Sequence, residues 1–245
     1  MTGRRARLFL INSFLITCEH GGNRIPAPYR RLFRGRRALL DSHRGFDAGA
    51  LVMASELAAA FRAPLVTSTV SRLLVDLNRS IGHPQLFSEA TRGAASDLHP
   101  KILERHYRPY RAQVERLVRQ SVSRGRRVIH IASHSFTPEL HGEVRRADVG
   151  LLYHPGRRGE AGLCARWKAA LAAFAPAIRV RRNYPYAGKG DGLTASLRHC
   201  FPPGAYVGIE LEVNQEIVRA ADRRWAALRG ALIDSLRAAC APGGS

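Results

Sequence analysis

Long apolar runs are absent from this sequence, and their absence argues against a membrane-spanning protein. No stretch of the 245 residues approaches the roughly 18 consecutive apolar residues that a membrane-spanning helix needs. Residues 1–20 are basic and then apolar, as in a signal peptide, but they contain no small-residue cleavage site. We therefore interpret this segment as the first strand and expect a cytoplasmic protein with no membrane segment.

Cysteine is scarce as well, which argues against a fold held together by disulfides. The four cysteines lie far apart along the chain, at Cys18, Cys164, Cys200 and Cys240, and no two of them form a CxxC pair. Disulfide scaffolds have a much higher density of cysteine in a much shorter chain. We therefore expect all four thiols to be reduced.

Lysine and acidic residues are few, so the chain is strongly basic through arginine. Only 3 of the 39 basic residues are lysines, 19 residues are acidic, and the formal net charge is +20. The arginines are spread along the chain and mixed with acids, without a basic tail or a glycine-arginine tract. This distribution favours an arginine-biased composition, and nucleic-acid binding is kept only as an alternative. A cleft in such a protein would still attract acidic small molecules.

Strand-like and helical segments alternate along the chain. Strand-like runs rich in aliphatic and β-branched residues lie at residues 8–17, 64–70, 73–77, 127–132, 149–153, 178–182 and 206–213. Helical patterns lie at residues 47–61, 101–123, 160–174, 193–200 and 215–239. This order predicts one α/β domain over residues 1–245, a three-layer α/β/α arrangement with a mainly parallel mixed sheet.

Two histidines are placed where strands end, and ligands in open α/β sheets bind beyond the carboxyl ends of the strands. In CEHGGNRIP, His20 follows the first strand, and two glycines after it permit a tight turn. In VIHIASHSF, His130 and His134 lie on one strand about 13 Å apart, so only one of them can share an ion with His20. We favour His134, at the carboxyl end, and interpret His130 as a buried strand residue. A structural, hydrogen-bonded histidine is the alternative for each.

Two further segments place polar groups at strand ends. In YVGIELEVNQ, alternation puts Glu210 and Glu212 on one face of a strand, with Glu212 nearer the carboxyl end. Such carboxylates are costly unless they are paired or near a cation, so chemistry and simple pairing with arginine are both open. In RLLVDLNRS, a strand ends in Asp76, Asn78 and Arg79, whose amide and guanidinium match a carboxylate. An arginine that only fixes a loop is the alternative.

Together these segments resemble the N-formylglutamate amidohydrolase family, a branch of the zinc-carboxypeptidase-like hydrolases. The resemblance covers about residues 10–220 and is carried, in this order, by CEHGGNRIP, SHRGFDAG, SRLLVDLNRS, GHPQLFSE, HIASHSFTPEL, NYPYAGKGDGLT and IELEVNQ. It implies a zinc-carboxypeptidase-like fold and a Zn²⁺-dependent amidohydrolase acting on a small acidic N-acyl amino acid. N-formyl-L-glutamate, cleaved to formate and glutamate in histidine degradation, is the substrate that the resemblance favours.

The resemblance also implies which residues hold the metal. His20 and His134 match the two histidine ligands of the wider superfamily. The glutamate of its HxxE motif has no match, because Asn23 occupies that place. Asp47, in SHRGFDAG, is the preferred third ligand, with Glu19 and Asn23 as alternatives. Two histidines and one carboxylate with an open position are the usual set at a catalytic zinc.

Catalytic and substrate-binding roles follow from the same resemblance. Glu212 matches the general base, with Glu210 as the alternative. Arg72 resembles the arginine that polarises the scissile carbonyl. Asn78 and Arg79 match a DLNR motif in aspartoacylase-like relatives, which implies that they hold a substrate carboxylate.

Three other functions stay open at this point. A zinc-dependent deacylase or carboxypeptidase could act on another N-acyl amino acid or on a small peptide. A cysteine amidase could use Cys18 and His20, although side chains two apart on a strand stand too far apart for a hydrogen bond. A basic nucleic-acid-binding protein would leave the strand-end histidines and the two glutamates without a role.

Overall fold

The strands form where the sequence is richest in aliphatic and β-branched residues. The structure is a computed structural model that describes residues 11–95, 97–220 and 223–241. Its strands are β1 (Asn12–Cys18), β2 (Leu65–Thr67), β3 (Arg127–Phe136), β4 (Glu139–Leu140), β5 (Glu143–Val144), β6 (Val149–Leu152), β7 (Val180–Arg182) and β8 (Tyr206–Asn214). The first three residues of the predicted strand at 8–17 lie outside the described residues.

Six strands form one mixed sheet in the order β2-β1-β3-β8-β6-β7. The first four of these are parallel to one another, whereas β6 is antiparallel to β8 and β7 is parallel to β6. Strands β4 and β5 form a separate antiparallel hairpin. The prediction of a mainly parallel mixed sheet is therefore confirmed.

Helices cover both faces of this sheet. They are α1 (Arg37–Leu40), α2 (Ala50–Phe61), α3 (Glu89–Arg92), α4 (Leu98–Ile102), α5 (Arg108–Ser123), α6 (Arg158–Phe174), α7 (Leu193–Cys200), α8 (Gln215–Ala220) and α9 (Arg223–Cys240), with a 3₁₀ helix at Ala27–Phe33. One apolar core contains α2, α6 and α9 against one sheet face, and a second contains α5 and α7 against the other. Three layers result, as predicted, while the assignment of all 245 residues to one domain stays a prediction.

Alternation along the central strands decides which face each side chain occupies. Ile129 and Ile131 of β3 pack into the core of α2, α6 and α9, whereas Val128 packs into the core of α5 and α7. His130 and His134 have the same parity as Val128, so they project to the face of α5 and α7. That face carries the polar residues of the site described below.

One predicted strand is wrong. Residues 73–77 form successive turns, with backbone hydrogen bonds from Leu74 to Ser71 and from Asp76 to Leu86. The leucines of this run are buried in the core of α5 and α7. An apolar run therefore marked burial correctly, but periodicity alone does not separate a buried strand from a buried turn.

Two predicted helices differ in detail. The helix expected at residues 101–123 begins at Leu98 and contains a π-helical turn, Leu103–Tyr107, just before Pro109. Proline has no N–H to donate to the preceding turn, which is consistent with an irregular turn at this point. The pattern at 215–239 divides into α8 and α9. No helix in the described part of the chain is long and apolar enough to cross a membrane.

A buried ion pair connects α6, α7 and β8, and its loss is expected to destabilise the fold. Arg198 Nε donates to Glu160 Oε1 at 3.0 Å, and the guanidinium also donates to the carbonyls of Gly188 and Gly208. Both side chains are at most 5% exposed. Because Arg198→Met leaves an uncompensated buried carboxylate, we expect a loss of about 3–5 kcal/mol in the free energy of unfolding.

Urea unfolding of the full chain measures this loss. Arg237→Met is the control, because Arg237 forms an exposed pair with Asp234 and such pairs contribute about 1 kcal/mol or less. Equal effects of the two substitutions would contradict the expectation.

Candidate active site

The turn after β1 brings His20 against the neighbouring chain segment. Gly21 N donates to Ser68 O at 2.9 Å, and a Cβ added at Gly22 would lie 2.8 Å from Thr69 O. A larger residue at Gly22 would therefore push the two segments apart. The two glycines that follow His20 therefore allow the backbone to pack closely against residues 68–69.

Three side chains from distant parts of the sequence converge beside this turn. His20 Nδ1 lies 3.2 Å from Asp47 Oδ2, and His134 Nδ1 lies 2.8 Å from the same oxygen. All three residues are buried, and one ligand atom from each lies within 4.8 Å of the others. This group could hold a metal ion, and it is the set preferred from the sequence. The alternative ligand Asn23 instead donates its amide to Asp41 at 2.7 Å.

Asp47 reaches the histidines because it does not cap a helix. The sequence pattern placed a helix start at residue 47, but α2 begins at Ala50 and its first cap is Gly49, with φ of +77°. Burial would raise the pKa of Asp47, but the adjacent His20, His134 and Arg72 hold it well below its ordinary value. Asp47 is therefore an ionised carboxylate aimed at two imidazoles.

The other nitrogen of each imidazole faces a second carboxylate, which sequence reasoning missed. His20 Nε2 donates to Asp76 Oδ1 at 2.7 Å, and His134 Nε2 lies 2.9 Å from Glu19 Oε2 in an ion-pair contact. Burial would raise the pKa of Glu19, but the adjacent His134 ring, 2.9 Å away, lowers it to about 2. Glu19 was considered as a ligand, yet the group that could hold a metal includes Asp47 and not Glu19.

Glu212 lies directly beside His134. The two residues are register partners on the parallel strands β8 and β3, so both side chains project from the same face. Glu212 is 5% exposed, and its Oε2 has no hydrogen-bond partner. Burial raises the pKa of Glu212 to about 8, the charges of Asp47 and Glu210 add to this rise, and His134 opposes it. A carboxylate with this pKa is suited to proton transfer near neutral pH.

Glu210, the alternative base, is already engaged. Its Oε1 accepts a hydrogen bond from the Thr194 hydroxyl at 2.7 Å. Glu210 and Glu212 both line the same cavity, so the structure brings the two candidates together. The unpartnered oxygen of Glu212 favours Glu212 as the base.

The arginines and the asparagine of the turn at 72–79 are tied to carboxylates and loops. Arg72 donates to Asp76 Oδ2 through Nη2 at 2.7 Å and lies 3.4 Å from Asp47 Oδ1. Asn78 Oδ1 accepts from the backbone N–H of Leu193 at 2.6 Å, which leaves its Nδ2 group to donate to a ligand. Arg79 Nε is buried without a partner, an unmet donor beside the cavity.

A second loop is joined to this turn. Asp191 accepts hydrogen bonds from the backbone N–H of Ser80 at 2.9 Å and from the Ser80 hydroxyl, and its carbonyl accepts from Arg79 Nη1 at 3.1 Å. With the bond from Leu193 to Asn78, residues 78–80 and 191–193 form one joined unit, which we call the paired loops. The glycine-rich segment at 183–194 is therefore a wall of the site.

These residues surround a cavity of about 550 Å³. Its lining includes the preferred ligands, both candidate bases and the predicted substrate contacts, namely His20, Asp47, Arg72, Asn78, Arg79, His134, Glu210 and Glu212, but not the alternative ligands Glu19 and Asn23. His130 is outside it, as expected for a buried strand residue, with its ring between the hydroxyls of Thr17 and Tyr206 at 2.8 and 2.7 Å. Cys18 is fully buried in the opposite core, and burial raises its thiol pKa, which argues against a cysteine nucleophile.

The raised pKa of Glu212 predicts how the stability of the metal-free protein depends on pH. In the unfolded chain Glu212 has an ordinary pKa near 4.5 and loses its proton at lower pH than in the folded chain, where its pKa is about 8. The free energy of unfolding therefore falls as pH rises from about 4.5 to 8. Glu212→Gln removes this loss, and its stability relative to wild type should rise by roughly 3–5 kcal/mol over that interval. Urea unfolding with a chelator at pH 5 and pH 8.5 tests this, and parallel pH dependence of the two proteins would contradict it.

The fold and this geometry define a class of protein: an α/β protein with a buried His-Asp-His group that could bind a metal, next to a carboxylate of raised pKa. The family model described as N-formylglutamate amidohydrolase matches residues 12–219. The chain therefore belongs to this family of hydrolases, and the resemblance seen in the motifs is confirmed.

Two solved structures share this fold. A gene product of Agrobacterium tumefaciens is 28% identical with a TM-score of 0.77, over 93% of this chain and 90% of that chain. An N-formylglutamate amidohydrolase from Ralstonia eutropha JMP134 is 19% identical with a TM-score of 0.69, over 94% of this chain and 93% of that chain, and at this identity the likeness shows the fold alone. Comparison with curated proteins found no match.

Proposed function

We propose that this protein is a zinc-dependent amidohydrolase that cleaves the amide of an N-acyl acidic amino acid, with N-formyl-L-glutamate as the substrate. One observation carries the proposal: the buried His20, Asp47 and His134 converge beside a cavity in which Glu212 has an unpartnered carboxylate oxygen. Family membership supports the hydrolase class, and the metal and the substrate are inferred from the site. The cytoplasmic location and a role in histidine degradation stay predictions.

The donor set fits a zinc ion. Two imidazoles and one carboxylate are ordinary zinc ligands, and three protein ligands leave a position open for catalysis. The proposal is supported by the closeness of the three groups, because Asp47 Oδ2 lies 3.2 Å from His20 Nδ1 and 2.8 Å from His134 Nδ1. When bound, zinc supplies Lewis-acid polarisation of a carbonyl and lowers the pKa of water towards roughly 7.

Glu212 moves the proton in this proposal. It accepts a proton from the attacking water and delivers it to the departing amide nitrogen, which becomes the free amine of the amino acid. Its position next to His134 in the sheet keeps it on the ligand side of the cavity. Glu212 is only 5% exposed, which keeps its carboxyl away from bulk water, so its proton exchanges with the reacting groups.

The turn at 72–79 binds and orients the substrate. Arg79 Nε and the amide Nδ2 of Asn78 supply donors for a substrate carboxylate. Arg72, fixed on Asp76, places positive charge next to the ligand carboxylate Asp47 and stabilises the oxyanion that develops at the carbonyl. Holding the substrate by its carboxylate would also align its amide bond for attack.

Formate release from N-formyl-L-glutamate by the purified full chain tests the proposal. We expect hydrolysis with zinc, loss of activity with chelator and recovery on adding zinc again. N-formyl-L-aspartate, N-acetyl-L-glutamate, N-succinyl-L-glutamate and N-formyl-L-glutamine, whose side chain is uncharged, are compared under the same conditions by release of the free amino group. Preference for a different acyl group would support the alternative deacylase, and no hydrolysis of any of them by zinc-loaded protein would refute the proposal.

Replacement of Arg79 is expected to weaken substrate binding. Arg79→Met removes the buried Nε donor, and because a hydrogen bond to a charged group contributes about 1.5–3 kcal/mol, kcat/KM should fall roughly 10- to 100-fold, mainly through KM. Arg116→Met, which removes one exposed charge from α5, is the control for net charge. A fall confined to kcat would contradict a carboxylate-binding role.

A further inference from the structure

Both candidate ligand histidines turn their second ring nitrogen toward a buried carboxylate. His20 Nε2 is hydrogen-bonded to Asp76 Oδ1 at 2.7 Å. His134 Nε2 lies 2.9 Å from Glu19 Oε2 without hydrogen-bond alignment, and neither of these two atoms has a hydrogen-bond partner among the described residues. In metal centres such a carboxylate fixes the tautomer and the orientation of the ligand ring, and its loss lowers metal affinity by roughly 10- to 100-fold. The two carboxylates are nevertheless held by different groups.

Asp76 is held by an arginine. Arg72 donates to Asp76 Oδ2 through Nη2 at 2.7 Å and Nε at 3.2 Å, and the backbone N–H of Asn78 donates to Asp76 Oδ1 at 2.9 Å. Asp76 also lines the cavity. Its charge is therefore balanced by a guanidinium whether or not an ion is bound.

Glu19 has no arginine or lysine partner in the part of the chain that the structure describes. It is 0% exposed, and its Oε1 accepts a hydrogen bond from the Tyr110 hydroxyl at 2.8 Å. The Thr17 hydroxyl, two residues before Glu19, lies 2.8 Å from His130 Nε2. A buried carboxylate is costly unless it is paired. Its ion-pair contact is with the ring of His134, at 2.9 Å.

We propose that Glu19 is a positioning residue of the metal centre, aligning the ring of His134 for metal binding, and that Tyr110 of α5 holds Glu19 in place. The inference rests on the proposed function, because it requires a metal at the His-Asp-His group. A helix outside the cavity lining thereby contributes to metal affinity.

The test measures metal binding by the full chain, without substrate. Glu19→Gln keeps the shape of the side chain but removes its charge, and Tyr110→Phe keeps the carboxylate but removes one hydrogen bond. Competition with a chromophoric chelator should show Zn²⁺ affinity lowered roughly 10- to 100-fold in Glu19→Gln and about 10-fold in Tyr110→Phe. The visible absorption bands of bound Co²⁺ should shift in both variants, because the His134 ring is reoriented.

Tyr107→Phe is the matched control. Tyr107 precedes α5 and donates its hydroxyl to the carbonyl of Arg79, so this variant loses a comparable hydrogen bond without touching Glu19, and we expect wild-type Zn²⁺ affinity. Circular dichroism and thermal unfolding establish that each variant is folded, and Tyr110→Phe decides the question if Glu19→Gln does not fold. Wild-type Zn²⁺ affinity in Tyr110→Phe and in folded Glu19→Gln would overturn this inference but leave the proposed function intact. A wild-type chain that binds no divalent metal overturns the proposed function as well.

Discussion

Glu212→Gln is expected to lower kcat by about 10²- to 10⁴-fold, which is the usual contribution of a positioned general base. The substitution keeps the size of the side chain and leaves the His134 neighbour in β3 unchanged. It removes the carboxylate that would accept the proton, whereas the groups that bind substrate are untouched. KM for N-formyl-L-glutamate should therefore change little, and steady-state formate release by zinc-loaded protein measures both constants.

Glu210→Gln separates the two candidate bases. Glu210 already accepts a hydrogen bond from Thr194, so we expect its replacement to cost less than replacement of Glu212. The pH dependence of kcat adds a second measurement, because loss of the base should remove the limb that reports its ionisation. If Glu210→Gln proved the more damaging of the two, the assignment of the base would pass to Glu210.

His134→Ala and Asp47→Asn are expected to abolish metal binding at micromolar free zinc, and with it the hydrolase activity. Both residues offer a ligand atom to the same small group. Loss of either should therefore lower zinc affinity by more than the 10- to 100-fold expected for a residue that only orients a ligand. Metal content after dialysis should fall from about one zinc per chain to near zero. Elemental analysis of protein purified without added metal measures this directly.

His199→Ala is the control for the metal prediction. His199 lies exposed on α7, where its Nδ1 contacts the carbonyl of Ala195, and its loss should leave metal content unchanged. Retention of stoichiometric zinc by both His134→Ala and Asp47→Asn would show that the ion is bound elsewhere. Thermal unfolding with and without zinc provides an independent readout, because a bound ion raises the stability of the folded chain.

The sequence was sufficient to predict the layers of the fold and most residues of the candidate site. Alternation along 206–213 placed Glu210 and Glu212 on one face, and the structure has both of them on the cavity lining. His134 was separated from His130 by strand geometry alone, and the two residues indeed have different surroundings. Motifs in collinear order added Asp47, which no periodicity would have indicated.

What the sequence did not reveal depends on contacts between distant segments. Asp76 was noted only as the end of a strand that does not form, and nothing in RLLVDLNRS shows that its carboxylate reaches His20. The partnership of Tyr110 with Glu19 joins residues 91 positions apart through helix packing. The helix predicted from Asp47 was misplaced because a carboxylate at a helix start and a carboxylate aimed at histidines look alike in sequence.

Because hydrogen bonds join residues 78–80 to 191–193, we expect the paired loops, which hold the proposed substrate-binding residues Asn78 and Arg79, to keep their shape when a ligand binds. A rigid site loses little conformational entropy on association, so more of its interaction energy appears as affinity. The same rigidity would fix the distance between the proposed carboxylate-binding residues and the His-Asp-His group. Rigid loops cannot move to contact a ligand that is one methylene shorter. We therefore expect the site to discriminate between ligands of different chain length more sharply than a site closed by a mobile lid.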